Sequence, residues 1–97
     1  MIYTKKTYLK NSKAERTLMK KALIIGASSQ DGSYLADLLL EKGYQVIGTI
    51  RRSTNITHPN IEHLYGKIIL EAADLIDSES IERVIREYQP DQIYNIA

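Results

Sequence analysis

At 97 residues the chain has the size of one small domain, too short to hold a cofactor domain and a substrate domain together. It contains no cysteine, which excludes disulfides, a thiolate zinc site and a cysteine nucleophile, and no apolar stretch approaches the roughly 20 residues that span a membrane. The formal net charge is +1, but residues 1–21 carry 7 basic side chains against 1 acidic one, whereas the rest carries 6 basic and 11 acidic ones.

The first 18 residues show neither the apolar core of a secretory signal nor a helical or strand period. We therefore expect a disordered basic extension at 1–18 and a folded part at 19–97. Lysines on such a segment can contact nucleic acid or a membrane surface, but a solvated tail is the better interpretation, so we expect neither partner. Without a secretory signal, the expected location is the cytoplasm. Met19 leaves open that translation begins directly before the first strand.

A short apolar run at 22–25 ends at Gly26, and a helical pattern follows it. The run contains no polar residue, as in a parallel strand that is covered on both faces. From Asp31 the apolar positions share one helical face, and Gly43 supplies a left-handed stop. These apolar positions are Tyr34, Leu35, Leu38 and Leu39. The pattern predicts a strand, a turn and a helix.

The turn between this strand and helix is a candidate phosphate site. Backbone N–H groups and the positive end of the helix dipole point out of such a turn, so it can bind a phosphate without a cationic side chain. Gly26 and Gly32 match the first and last glycines of the dinucleotide-binding fingerprint. The middle position is Ser29, whose side chain would either crowd a pyrophosphate or donate its hydroxyl to it. Two glycines also occur in such turns for structural reasons alone, so this stretch leaves both interpretations open.

A second β-branched run at 44–50 completes a strand–helix–strand unit, for which a right-handed crossover to a parallel neighbour is favoured. The carboxyl end of this strand then lies beside the turn. There, an acidic residue marks a site for NAD and an arginine marks a site for the extra phosphate of NADP. This chain has Arg51 and Arg52, with no acidic residue between Glu41 and Glu62. The alternative is that both arginines are solvated at a strand end.

The second half of the chain repeats the alternation of strand and helix. Residues 67–72 predict a third strand, a helix starts near Ser78 and stops before Pro90, and residues 92–97 predict a fourth strand. Together these elements predict an α/β fold with a parallel sheet of about four strands in the order 3-2-1-4 and flanking helices. The fourth strand would form an open sheet edge, through which the chain could self-associate. His58 and His63 have no nearby carboxylate pattern, so no metal site is expected.

Several stretches together resemble one protein family: GASSQDGSYLADLLLEKGY, RRST, NIEHLYG, ADLID and QPDQIYNIA. Over residues 20–97 the chain resembles the amino-terminal part of the GDP-mannose 4,6-dehydratases, in the extended short-chain dehydrogenase/reductase superfamily. The resemblance implies a truncated, partial Rossmann-type domain that binds NADP.

The resemblance also implies which residues touch NADP. The turn would hold the pyrophosphate, the end of the second strand the 2′-phosphate, the residues after the third strand the adenine, and the last residues the nicotinamide side. In that order they are Gly26, Ser28, Ser29, Gln30 and Asp31; Arg51, Arg52, Ser53 and Thr54; Asp74 and Leu75; and Ile96 and Ala97. The chain departs from the family pattern at Ile25, Ser29 and Ala73, which replace a threonine and two glycines.

Enzymes of this family are lyases that oxidise GDP-mannose at C4 with NADP, eliminate water across C5 and C6, and return the hydride to C6. Their chemistry uses a Tyr-x-x-x-Lys pair, and none of the 7 tyrosines here is followed by a lysine four residues on. We therefore expect no catalytic residue and no activity in this chain alone, and GDP-mannose binding only in a longer protein. The alternative is a noncatalytic NADP-binding or interaction module. Another nucleotide-sugar epimerase or reductase is disfavoured by Arg51, Arg52 and the serine after them.

Overall fold

The computed structural model describes the backbone of residues 2–4 and all atoms of residues 20–51 and 59–97. The elements in these residues are β1 (Ile2–Thr4), β2 (Lys21–Ile25), α1 (Gln30–Glu41), β3 (Gln45–Ile50), β4 (Ile69–Ala72), α2 (Ser78–Tyr88) and β5 (Gln92–Asn95), with a 3-10 helix at Pro59–Leu64. Within these ranges, no helix is long and apolar enough to cross a membrane.

The strands form one sheet in the order β1-β5-β2-β3-β4. β2 pairs in parallel with both β3 and β5, and β3 pairs in parallel with β4. This confirms the predicted parallel order 3-2-1-4, in which the predicted strands are β2, β3, β4 and β5. The register aligns Ile25 with Thr49 on one side and with Asn95 on the other, so three strands end at the same level.

The edge strand β1 differs from the prediction. Residues 1–18 were expected to be disordered, but Ile2–Thr4 pair antiparallel with β5, in the register Ile2 to Tyr94 and Thr4 to Gln92. The prediction of an open edge at β5 is therefore wrong, because this chain covers that edge itself. Three residues carry no local strand period, and their strand exists through a partner at the other end of the chain. Residues 5–19 lie outside the described part.

The core lies on both faces of the sheet, which explains the unbroken apolar run of β2. Ala22 and Ile24 face the layer formed by α1 and the 3-10 helix, whereas Leu23 and Ile25 face the layer that contains α2. Side chains alternate along a strand, so a parallel strand covered on both faces needs apolar residues at every position. The strand whose carboxyl end leads into the turn is thus buried on both faces.

The face that α1 turns to the sheet is not the one that its large apolar residues predict. Tyr34 and Leu38 are 63% and 47% exposed, whereas the buried positions of α1 are Gly32, Ser33, Ala36 and Leu39. The expectation that Tyr34 and Leu38 share the buried face is wrong. Small residues occupy the face towards the sheet because the start of α1 lies so close to the turn that larger side chains would clash with it.

A polar contact joins α2 to the edge strand β4. The Tyr88 hydroxyl donates a hydrogen bond of 2.5 Å to the Glu71 carboxylate, and Arg83 lies 3.6 Å from the other oxygen of that carboxylate. The hydrogen bond to Glu71, together with burial and the neighbouring negative charges, raises the pKa of Tyr88 to about 12. The folded protein therefore holds the neutral phenol more tightly than the unfolded chain does.

This contact predicts a loss of stability at high pH. Because the folded pKa of Tyr88 exceeds its ordinary value of 10.0, its contribution to the free energy of unfolding is present below pH 10 and disappears as pH rises towards about 12. Urea melts of the wild type and of Tyr88→Phe between pH 8 and 12 should converge as pH rises. Since burial also raises the pKa of Tyr94, only the difference between the two proteins reports on Tyr88. A difference that stays constant over this range would contradict the assignment.

Candidate functional site

A cavity of about 370 Å³ opens at the carboxyl ends of the parallel strands. The residues that line it come from the ends of β2, β3, β4 and β5 and from the turns after them: Ile25, Gly26, Ser28, Ser29, Thr49, Arg51, Ala73, Asp74, Leu75, Ile76 and Ala97. Ligands of open α/β sheets bind at this edge, in the crevice between neighbouring strand ends. The cavity therefore lies where the sheet topology favours a ligand.

The structure gathers most of the predicted site residues at this cavity. Gly26, Ser28, Ser29, Arg51, Asp74, Leu75 and Ala97 line it. Gln30 and Asp31 begin α1 beside it, while Ile96 continues the pairing of β5 by donating its N–H to the Ile25 carbonyl at 2.9 Å. Arg52, Ser53 and Thr54 lie outside the described residues, so their predicted role stays a prediction.

Two glycines allow the turn to approach its neighbours. Gly26 has a φ of +91°, and a Cβ there would lie 3.0 Å from the Ala97 nitrogen. A Cβ on Gly32 would lie 2.5 Å from the Gly26 carbonyl oxygen, closer than real Cβ contacts come. The first glycine thus permits the left-handed turn, and the last permits α1 to contact the strand end.

Thr49 secures the turn to β3, and sequence reasoning missed it. This residue is 1% exposed; its hydroxyl oxygen accepts from the Gly26 N–H at 3.2 Å, and its carbonyl accepts from the Ala27 N–H at 2.9 Å. The available signal was a hydroxyl that follows apolar residues near the carboxyl end of β3. The sequence does not reveal the role of this hydroxyl, because the role depends on the pairing of β3 with β2, which brings Thr49 to the level of Ile25.

Ser29 is hydrogen-bonded within the turn. Its hydroxyl accepts from the Gly32 N–H at 2.9 Å and donates to the Gly26 carbonyl at 3.0 Å, so the side chain caps α1 from within the turn. Among the described residues, the backbone N–H groups of Ser28, Gln30 and Asp31 donate to no acceptor. These amides, with the dipole of a 12-residue helix, can bind an anion.

Because its hydroxyl is directed back into the turn, Ser29→Gly should leave dinucleotide affinity within about threefold of the wild type. Glycine at an N-cap costs only a few tenths of a kcal/mol relative to serine, so the helix should also persist. Calorimetric titration of both proteins measures the effect, and Ser78→Gly at the start of α2 serves as a serine-to-glycine control away from the cavity. A tenfold weaker affinity of Ser29→Gly alone would show that the hydroxyl contacts the ligand.

Arg51 lies at the mouth of the cavity and contacts Asp74. The Arg51 Nε and the Asp74 carboxylate are 3.5 Å apart, and the side chains are 80% and 34% exposed. Asp74 is held by its neighbours, since its carboxylate accepts from the Ile76 N–H at 3.1 Å and its own N–H donates to the Ser80 hydroxyl at 3.1 Å. An exposed pair contributes little to stability, but it positions a planar cation that can bind a phosphate through two N–H groups.

His63, in the 3-10 helix, forms an exposed pair with Asp37 of α1. The His63 Nε2 lies 3.0 Å from both carboxylate oxygens of Asp37. Across residues 20–51 and 59–97, no three potential metal ligands come together. His58 is not among the described residues.

The sequence model of the family described as GDP-mannose 4,6 dehydratase matches residues 23–97. The chain belongs to the GDP-mannose 4,6-dehydratase family. It is 48% identical over 85 residues to the GDP-mannose 4,6-dehydratase of Yersinia enterocolitica, an alignment that covers 80% of this chain and 23% of that protein. The chain thus spans about a quarter of the length of the curated relatives that it matches.

Solved structures resemble the fold over a similar range. A putative epimerase from Burkholderia cenocepacia gives a TM-score of 0.68 at 26% identity, covering 80% of this chain and 25% of that one. The Bordetella bronchiseptica enzyme WbmH, solved in complex with NAD⁺, gives a TM-score of 0.62 at 30% identity, covering 82% and 26%. The family match includes every residue that lines the cavity, whereas β1 lies outside it.

Proposed function

We propose that this chain is the cofactor-binding part of a GDP-mannose 4,6-dehydratase and that its cavity binds NADP. The observation that carries the proposal is the placement of Arg51 beside a glycine turn at the ends of parallel strands. The turn supplies amides for a pyrophosphate, and the arginine supplies a cation for a further phosphate. The dinucleotide-bound state of the similar enzyme WbmH supports a nicotinamide dinucleotide in general.

The turn residues fit a pyrophosphate. Ser28, Gln30 and Asp31 offer free amides among the described residues, and the Ser29 hydroxyl donates to the Gly26 carbonyl. Gly26 and Gly32 let the turn lie close to Ala97 and let the start of α1 lie close to the Gly26 carbonyl, which keeps these amides at the strand ends. Ser29 therefore occupies the position of the middle glycine without closing the site.

The choice of NADP rests on charge at the end of β3. Arg51 follows this strand directly, and the sequence has no acidic residue between Glu41 and Glu62 to accept hydrogen bonds from an unphosphorylated ribose. Arg52, Ser53 and Thr54 extend the proposed phosphate site. Asp74, with the 45% exposed Leu75, offers a polar and an apolar side chain for the adenine at the cavity rim.

NADP would supply the hydride acceptor and donor for the oxidation and reduction of GDP-mannose that the family carries out. This chain's residues bind and orient the cofactor, and none of its tyrosines has a lysine four residues later. The lyase activity, the binding of GDP-mannose and the location in the cytoplasm are therefore proposed for a longer protein, and this chain alone is proposed to be inactive. The alternative function is a noncatalytic NADP-binding or interaction module.

The test is a calorimetric titration of the 97-residue chain with NADP and with NAD. We expect NADP to bind at least about tenfold more tightly, because one added charge-assisted contact is worth about 1.5–3 kcal/mol. Adenosine 2′,5′-bisphosphate and AMP form a matched pair that differs only in the 2′-phosphate, and they should show the same preference. Equal or tighter NAD binding would reverse the choice of cofactor, and no binding of either would remove the cavity as a cofactor site.

A further inference from the structure

The strand β1 stands apart from the rest of the sheet. It runs antiparallel to β5, whereas β2, β3, β4 and β5 are mutually parallel. It also lies outside the range 23–97 that matches the family. Its presence at the sheet edge is therefore a feature of this chain that the family relationship does not account for.

β1 occupies the position at which this sheet topology would add a further strand. A doubly wound sheet of order 3-2-1-4-5-6 adds its next strand to the outer edge of the fourth one, which is β5 here. The backbone groups on that edge of Gln92–Asn95 can pair with only one strand at a time. Pairing with β1 and pairing with any further strand are mutually exclusive.

An uncovered β5 would be a hazard for this protein. Its residues are only partly buried, and Ile93 and Tyr94 pack against the two core clusters. Unpaired backbone N–H and C=O groups beside such side chains can form hydrogen bonds with a strand of another chain, which leads to aggregation. A 3-residue strand blunts this edge, because it is too short to serve as a template for a further strand.

We propose that the outer edge of β5 is a strand-docking surface and that residues 2–4 of the same chain occupy it as an exchangeable plug. The tether within one chain gives β1 a high effective concentration at this edge, which favours it over a second copy. Its short pairing leaves it replaceable by a longer strand. Self-association is accordingly expected when β1 is disrupted and not in the intact chain.

The first test uses the absence of cysteine from this chain. The double variants Tyr3→Cys with Ile93→Cys and Thr4→Cys with Gln92→Cys place thiols at directly opposed positions. Opposed pairs alternate between close and wide spacing, so at least one variant suits a disulfide. On mild oxidation it should form about tenfold more intrachain disulfide than the control Tyr3→Cys with Lys67→Cys, whose second thiol precedes β4 at the opposite edge. Equal yields, or disulfides only between chains, would overturn the proposal.

The second test removes the backbone pairing of β1 in the full chain. Tyr3→Pro and Thr4→Pro occupy neighbouring positions, so at least one of them removes an N–H from the ladder with β5. Sedimentation velocity should show a concentration-dependent shift to larger species for that variant, and a monomer for the wild type and for the control Ser78→Pro, since proline is tolerated at the first position of a helix such as α2. If both proline variants stay monomeric at the highest concentration, or if the wild type associates equally, β1 is not the plug.

Discussion

Gly32→Ala should destabilise the protein by about 2–3 kcal/mol and abolish dinucleotide binding, because overpacking against a rigid neighbour costs this much. The new Cβ would lie 2.5 Å from the Gly26 carbonyl oxygen and 2.9 Å from the Ala27 Cα. These are backbone atoms, which cannot rotate aside as the end of a side chain can. Relief requires α1 to move away from the turn, and that movement displaces the amides proposed to bind the pyrophosphate.

Thermal melts and NADP titrations check this prediction, with Gly43→Ala as the matched control. Gly43 has a φ of +85° but nothing within 4 Å of a Cβ, so alanine there costs only about 1–2 kcal/mol of backbone strain and lies far from the cavity. Gly43→Ala should therefore keep NADP binding. If Gly32→Ala bound NADP as well as Gly43→Ala does, the close approach of α1 to the turn would be irrelevant to the site.

Arg51→Ala should weaken NADP binding by about 10–100-fold and leave NAD binding almost unchanged. The physical reason is that only NADP offers a second phosphate group to the guanidinium, whereas the pyrophosphate that both cofactors share is proposed to lie on the turn. Stability should change little, because the Arg51 side chain is 80% exposed and its pair with Asp74 is screened by solvent. Calorimetric titration of both cofactors measures the selectivity directly.

Two further variants separate charge from geometry in this prediction. Arg51→Lys keeps the charge but loses the planar fork, so its NADP affinity should be intermediate. Arg83→Ala removes an equally basic side chain from α2, where Arg83 pairs with Glu71 and Glu87, and should leave both affinities unchanged. An equal loss of NADP and NAD binding in Arg51→Ala would place Arg51 at the shared part of the cofactor instead.

The sequence by itself determined the elements and the parallel order of the central strands. The apolar run of β2, the stop at Gly26 and the glycine at 43 mark strand, turn and helix by local periodicity alone, and the short connections then favour parallel neighbours. The glycine turn and Arg51 were predicted as part of the site from the same pattern, since carboxyl ends of parallel strands meet at one edge of the sheet, whereas Ser28, Asp74, Leu75 and Ala97 were implied by the resemblance to the family.

Only the tertiary structure decided which side chains face inward at α1, and what the two hydroxyls at the turn do. Tyr34 and Leu38 follow an apolar helical period, yet the close approach of Gly32 to the Gly26 carbonyl turns small residues to the sheet instead. Thr49 and Ser29 are ordinary polar residues in the sequence. Their roles appear when strand pairing and the turn bring each hydroxyl within hydrogen-bond distance of Gly26.

The strand β1 depended on tertiary structure most of all. Ile2–Thr4 have no periodic pattern, and they pair with Gln92–Tyr94 across nearly the whole length of the chain. Local propensity and periodicity are properties of neighbouring residues, whereas an edge strand exists because a partner edge offers unpaired N–H and C=O groups. The physical cause of β1 lies in β5, so the residues of β1 alone could not predict it.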